Sequence, residues 1–265
     1  VNQPTIVSHG ELTSLTNIIR DARALSIKIP AEVYAELRVY RSIEANNRDA
    51  QREQDEAISG LYQVPASDFD AALDDAAGTV SRLTVKRELS PTLVAVAAHR
   101  LGRVVSIASA GFEAAVVDQF NKIAEDFQLA EHASNLPDLA QTGFNVMSVS
   151  GAAGSAIEAW RAALPDLGQR WHLYRNLAEL EGQLLGPAGA DDLATNLYTA
   201  AVLGTPGSWN QALAAAECMA AMSAGADSER PWAPLGLFAL PSRYGYELSL
   251  STSGEATRIR RAIQP

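Results

Sequence analysis

The chain has 265 residues, of which 47% are apolar and 20% charged, with 31 acidic side chains against 21 basic ones for a net charge of −10. That length and composition give a globular protein with a core of its own and exclude a disordered chain; the acidic balance repels polyanions and disfavours general binding to nucleic acid. A single cysteine, Cys218, excludes an internal disulfide framework and any multi-cysteine metal site.

In chain order the first element is a helix. Ser8 followed by Glu11 has the spacing of a capping box, and Leu12, Leu15, Ile18, Ile19, Ala22 and Leu25 share one face behind it. Pro30 marks a break and the first turn of a second helix, with Val33, Leu37 and Tyr40 at helical spacing. Between Glu44 and Glu56 the apolar pattern fades to Ala45 and Ala50, while Glu44/Arg48 and Arg52/Glu56 are placed for ion pairs four residues apart. The stretch reads as a solvated helix projecting from the body in preference to a polar loop. Pro65 ends that segment.

A helix from Ser67 to about Leu89 would turn Phe69, Leu73, Ala76, Ala77, Val80 and Leu83 inward, and Ser90 with Pro91 reads as a restart. The longest pattern follows, from Leu93 through Leu101, Phe112, Val116, Phe120 and Phe127 to Ala130, about 60 Å of helix if unbroken. Ala98, Gly102, Ser106, Ala110 and Gly111 form a small-residue strip within it, suited to a close neighbour or to a kink near Gly111.

Charge density drops beyond Asp138: residues 1–138 hold 33 charged side chains and residues 139–242 only 13, and all four tryptophans lie in the second stretch. Ala140–Gly154 reads as loop. Helices are expected near 155–164, 166–185, 190–203 and 208–224, separated by Pro165, Gly186 with Pro187, the break from Gly204 to Gly207, and Gly225. Residues 193–216 carry no charge, yet that glycine and proline break disqualifies them as a membrane span.

The period changes near the C-terminus. Tyr244, Tyr246, Leu248, Leu250 and Thr252 alternate with smaller or polar residues, the signature of a half-buried strand, and Leu235–Leu240 is a short apolar run ahead of it. Together they predict a β-hairpin that must pack on helices or accept a strand from another chain. A short helix or tail bearing Arg258, Arg260 and Arg261 closes the sequence.

The expected fold class is therefore mainly α, a multi-helix bundle with long helices and a small C-terminal β-hairpin. Three regions are expected, 1–138, 139–230 and 231–265, unless they merge into one domain. Catalytic chemistry finds no local motif. His9, His99, His132 and His172 are unpaired at helical spacing, and no nucleophile elbow, phosphate loop or dinucleotide fingerprint occurs. Asp74 with Asp75 and Asp191 with Asp192 suit solvated surface or a helix start better than a metal site. No catalytic, cofactor or metal residue is assigned, and no cofactor is expected. The residues singled out for binding a protein partner are Tyr244, Tyr246, Leu248, Leu250, Arg258, Arg260 and Arg261.

Two function classes remain. One is a structural or interaction protein, a component of a larger assembly such as a virus or phage particle, with protein partners or its own copies as neighbours. The other is a helical small-molecule binder or enzyme, with a site among Trp160, Trp171, Tyr174, Tyr198 and Trp209 that would gather His172, Tyr174 or Glu179. With no signal peptide or membrane span in the pattern, the expected location is the cytoplasm or a particle assembled there.

Overall fold

The computed structural model describes residues 9–133, 135, 151–185, 192–224 and 233–264. Ser8, Asp191, Trp232 and most of the predicted loop 140–154 lie outside them. In chain order come α1 (His9–Ala24), α2 (Ala31–Gly60), a 3-10 turn (Leu61–Gln63), α3 (Phe69–Asp126), α4 (Leu129–Ala133), α5 (Ala152–Leu180), α6 (Leu193–Val202), α7 (Trp209–Ala224), α8 (Ala233–Arg243) and α9 (Ser253–Ile263). Among the described residues the fold is all-helical, apart from one isolated antiparallel bridge between Gly204 and Leu248.

Two expected breaks are absent. α3 runs through Ser90 and Pro91, and α5 runs through Pro165. A proline inside a helix costs about 3 kcal/mol through the missing donor and the clash with the preceding turn. Burial on both sides offsets that cost: Leu83 and Leu101 flank Pro91, Trp160 and Leu167 flank Pro165, and none is more than 1% exposed. A fully buried apolar side chain contributes about 1.5–3 kcal/mol, so the inward face outweighs the local preference.

The chain divides into two compact units, one of residues 1–16 and 29–108, the other of residues 17–28 and 109–265. In the first, α2 and the leading part of α3 pair antiparallel. Arg100 bonds Glu36 at 2.7 Å, Asn47 donates to the Ser90 hydroxyl, Arg87 donates to Gln54 at 3.3 Å, and Arg82 bonds Glu53 at 2.8 Å. The 44–56 stretch is thus helix. Arg52 lies 3.8 Å from Glu56 and 3.2 Å from Asp49, while Glu44 accepts from the Tyr40 hydroxyl. Val33, Leu37, Tyr40 and Ala50 of α2 and Ala76, Leu83, Ala97 and Leu101 of α3 are buried. Part of the small-residue strip serves close packing: Ala98 is buried, and the position a Gly102 Cβ would take is 3.6 Å from Leu15 Cδ1. Ser106, Ala110 and Gly111 face outward.

In the second unit, α6 packs on α7 and α9, and α8 packs on α4, α5 and α7. Phe238 of α8 is held edge-on by Phe120 at 5.6 Å and Trp171 at 6.2 Å.

The predicted β-hairpin does not exist. Its first arm is part of α8, where Leu237, Phe238, Ala239 and Leu240 are all buried. Burial on every side erases helical periodicity, and a short apolar run then reads equally well as strand. The residues after Leu240 close the helix: Tyr246 N–H donates to Pro241 O at 3.0 Å and Gly245 N–H to Ser242 O at 3.4 Å, around a left-handed Gly245 with φ of +82°.

The second arm is extended, and Tyr246, Leu248 and Leu250 are buried in alternation as the pattern requires, but no strand accompanies it. The backbone of its later part is met by helix ends and side chains. Ser249 and Ser251 N–H donate to Leu203 O and Val202 O at 3.1 and 2.8 Å, past the end of α6. Leu250 exchanges two hydrogen bonds with Asn121, and Ser251 O accepts from the Tyr174 hydroxyl at 2.9 Å. The chain then enters α9 through a capping box of Thr252 and Glu255, with Ser253 N–H also donating to Glu113 at 2.6 Å. Gly204 is required where this segment crosses. A Cβ there would lie 2.6 Å from Glu247 O and from the Tyr246 ring.

Candidate functional site

The residues singled out for partner binding divide into two groups. Tyr246, Leu248 and Leu250 are 8%, 8% and 2% exposed and are covered by the chain's own helices. Tyr244 is half-buried beside Cys218; burial pushes its hydroxyl up from its ordinary range, and Cys218 adds to the shift. These four are not an open strand edge. The arginines keep access to solvent. Arg258 lies 3.9 Å from Glu255, whereas Arg260 and Arg261 line a pocket.

That pocket, about 390 Å³ in volume, lies between α6, α9 and the segment after α5. From α9 it takes Thr257, Arg260, Arg261 and Gln264, spaced i, i+3, i+4 and i+7, hence one face of the helix. The neighbouring edge of α9 turns inward: Ala256 is buried, and Ile263 packs on a cluster of Leu197, Ala212 and Ala216 together with Trp209. From α6 come Ala194, Thr195 and Tyr198, with the helix's capping residue Asp192, and from the post-α5 segment come Gln183 and Leu184. Asp192 accepts from the Ala194 amide at 3.0 Å and the Thr195 hydroxyl at 2.9 Å, which together hold its carboxyl below the usual carboxylate range. The Tyr198 hydroxyl donates to Gln183 Oε1 at 2.5 Å, and burial raises its pKa.

Trp160 and Trp171 lie elsewhere. Trp160 is 1% exposed and Trp171 7%, the latter stacked on Tyr174 at 5.8 Å. Burial drives the Tyr174 hydroxyl far above its ordinary range, and it donates to the Ser251 carbonyl. His172 points outward, 60% exposed and 3.6 Å from Asp21, and Glu179 is exposed. The polar groups that a tryptophan-lined site would gather are therefore dispersed. No group of three or more His, Cys, Asp or Glu placed to hold a metal ion occurs among the described residues.

The first unit presents a different feature. Val85, Leu89, Leu93 and Val96 of α3 are 54%, 56%, 49% and 42% exposed. Their steps of four, four and three place them on one face. Leu93, Phe69 and Leu73, expected to face inward, are 49%, 40% and 44% exposed. The buried face follows the seven-residue series Ala76, Leu83, Ser90, Ala97 instead. Both series are readable in the sequence, but one helix carrying two apolar stripes does not announce which of them is covered. α3 also holds a stretch long and apolar enough, by length and composition, to cross a membrane, which is weak evidence of a span.

Among its described residues the chain is an all-α protein with a polar pocket in one unit and an exposed apolar ridge in the other. Comparison with protein-family models, with curated proteins and with solved structures finds no match.

Proposed function

We propose that this chain is an interaction protein, one component of a larger protein assembly such as a virus or phage particle, and that it joins its neighbours through the α3 ridge. The observation that carries this reading is the exposure of Val85, Leu89, Leu93 and Val96 on a single helical face. Contiguous apolar surface of this kind is costly to leave in water and marks interaction sites. α2 supports the ridge from the side, since Arg82 and Arg100 are tied to Glu53 and Glu36 and the helix pair is ready-made for docking.

The partner chemistry that fits is an amphipathic helix with an apolar stripe and flanks carrying both signs of charge, because the ridge is bordered by exposed Lys86, Glu88 and Arg103. A second copy of the chain is one source of such a helix. A protein partner is favoured over lipid because immersing α3 would carry the paired Glu36 and Glu53 of α2 towards hydrocarbon. A cytoplasmic location, or a particle assembled there, belongs with the same reading.

The test is the double variant Leu89→Glu with Leu93→Glu, followed by light scattering behind size exclusion and by recovery in the native assembly. Both positions are exposed, so stability should change by less than about 1 kcal/mol. Association of the wild-type chain should weaken by about tenfold or more in the variant, equivalent to at least about 1.4 kcal/mol. A wild-type chain that remains monomeric and absent from every assembly, or a variant that associates as well as the parent, overturns the proposal.

A further inference from the structure

We propose that the pocket between α6 and α9 binds a phosphorylated sugar-like small molecule, with its phosphate held by Arg260 and Arg261. This site lies wholly in the 109–265 unit and stands independently of the ridge and its partner.

The argument begins with charge. Arg260 and Arg261 are adjacent in sequence, line one pocket and have no ion pair among the described residues. Both guanidinium groups carry full positive charge into the lining of one pocket, and a dianion bound there would take charge-assisted, bidentate hydrogen bonds from them. Asp192 is the one carboxylate among the described lining residues. It is engaged as the cap of α6, by the Ala194 amide and the Thr195 hydroxyl, so it does not neutralise the arginines through a direct pair.

The hydrogen-bonding inventory then distinguishes the two ends of the ligand. The Thr195, Thr257 and Tyr198 hydroxyl protons are already given to Asp192, to the Ser253 carbonyl and to Gln183. These oxygens still accept, and so they suit a ligand that donates, as a sugar's hydroxyl groups do. Donors for a phosphate come from the two guanidinium groups and the amide of Gln264. A volume of about 390 Å³ is in the usual range for a small-molecule site.

Isothermal titration calorimetry at physiological salt, with ribose 5-phosphate, inorganic phosphate and uncharged ribose as probes, tests the assignment. Ribose 5-phosphate should bind with a stoichiometry of one, at least about tenfold more tightly than inorganic phosphate, and ribose alone should give no heat. The double variant Arg260→Gln with Arg261→Gln should lose about tenfold or more in affinity with its circular dichroism unchanged. Arg258→Gln, on the same helix but outside the pocket, should bind like the parent. Absence of binding to ribose 5-phosphate at roughly 10 mM, equal affinity for the two phosphates, or undiminished binding by the double variant would each overturn the proposal. None of these outcomes bears on whether the α3 ridge associates.

Discussion

Asn121 in α3 and Leu250 in the extended segment exchange two hydrogen bonds across 129 positions of sequence: Asn121 Nδ2 donates to Leu250 O at 2.9 Å, and Leu250 N–H donates to Asn121 Oδ1 at 2.6 Å. The side-chain amide reproduces the pair of bonds that a neighbouring strand would supply. Asn121 is thereby one of the residues that let a strand-like segment lie on helices without a sheet.

Asn121→Ala should therefore destabilise the chain by about 2–6 kcal/mol, because a backbone donor and acceptor at a buried residue lose their partners together, at about 1–3 kcal/mol each. Urea unfolding followed by circular dichroism reads this as a lower midpoint with the same slope. The exposed neighbour Lys122→Ala serves as the control and should stay within about 0.5 kcal/mol of the parent.

Two glycine-to-alanine changes should move stability in opposite directions. At Gly204 the new methyl would lie 2.6 Å from the Glu247 carbonyl oxygen and the Tyr246 ring, so the crossing segment must shift; a loss of about 2 kcal/mol is expected. At Gly111, inside α3, the added methyl meets nothing within 4 Å, and removing a helix-interior glycine should add about 1 kcal/mol. Thermal melts of the two variants side by side decide it.

Alkaline pH should unfold the protein through its buried tyrosines. Burial raises the hydroxyl pKa of Tyr174, Tyr198 and Tyr246 above the ordinary value of about 10. The neutral form is the one the fold accommodates. The stabilisation is complete below the unfolded pKa and is lost as pH rises from there towards the folded values. Tyrosinate absorbance should therefore show a late fraction that ionises together with the loss of helical circular dichroism. Full ionisation of all seven tyrosines with the helix intact would contradict this.

The start of α9 supplies an acid-side counterpart. Bonds from the Thr252 backbone and hydroxyl hold Glu255 below the usual carboxylate range. Its contribution is present above the unfolded value of about 4.3 and is lost as pH falls through the folded one. Thr252→Ala should cost about 1 kcal/mol at neutral pH, and the difference between variant and parent should shrink as the pH is lowered below about 4. Chemical denaturation at a series of pH values measures it.

Sequence periodicity located several of the helices because their inward residues recur at three and four: Leu15, Ile18, Ile19 and Ala22 in α1, and Val33, Leu37 and Tyr40 in α2, are buried as their spacing demands. It also identified the buried alternation of Tyr246, Leu248 and Leu250. Composition isolated the arginines of α9, two of which line the pocket. These features are legible because each depends on residues within a few positions of one another.

What tertiary structure alone decided depends on contacts between distant residues. Pro91 and Pro165 look like breaks until the burial on either side is weighed against them. Leu237–Leu240 is helix because Phe120 and Trp171, far away in sequence, surround Phe238. The extended segment has no partner strand, and Asn121, Tyr174 and the end of α6 instead meet the backbone of Ser249, Leu250 and Ser251. Which of α3's two apolar stripes stays exposed was likewise settled only by where α2 lies. A local pattern tells a segment which shape it prefers; the partner that completes its hydrogen bonds and covers its apolar face is chosen across the whole chain, where spacing carries no signal.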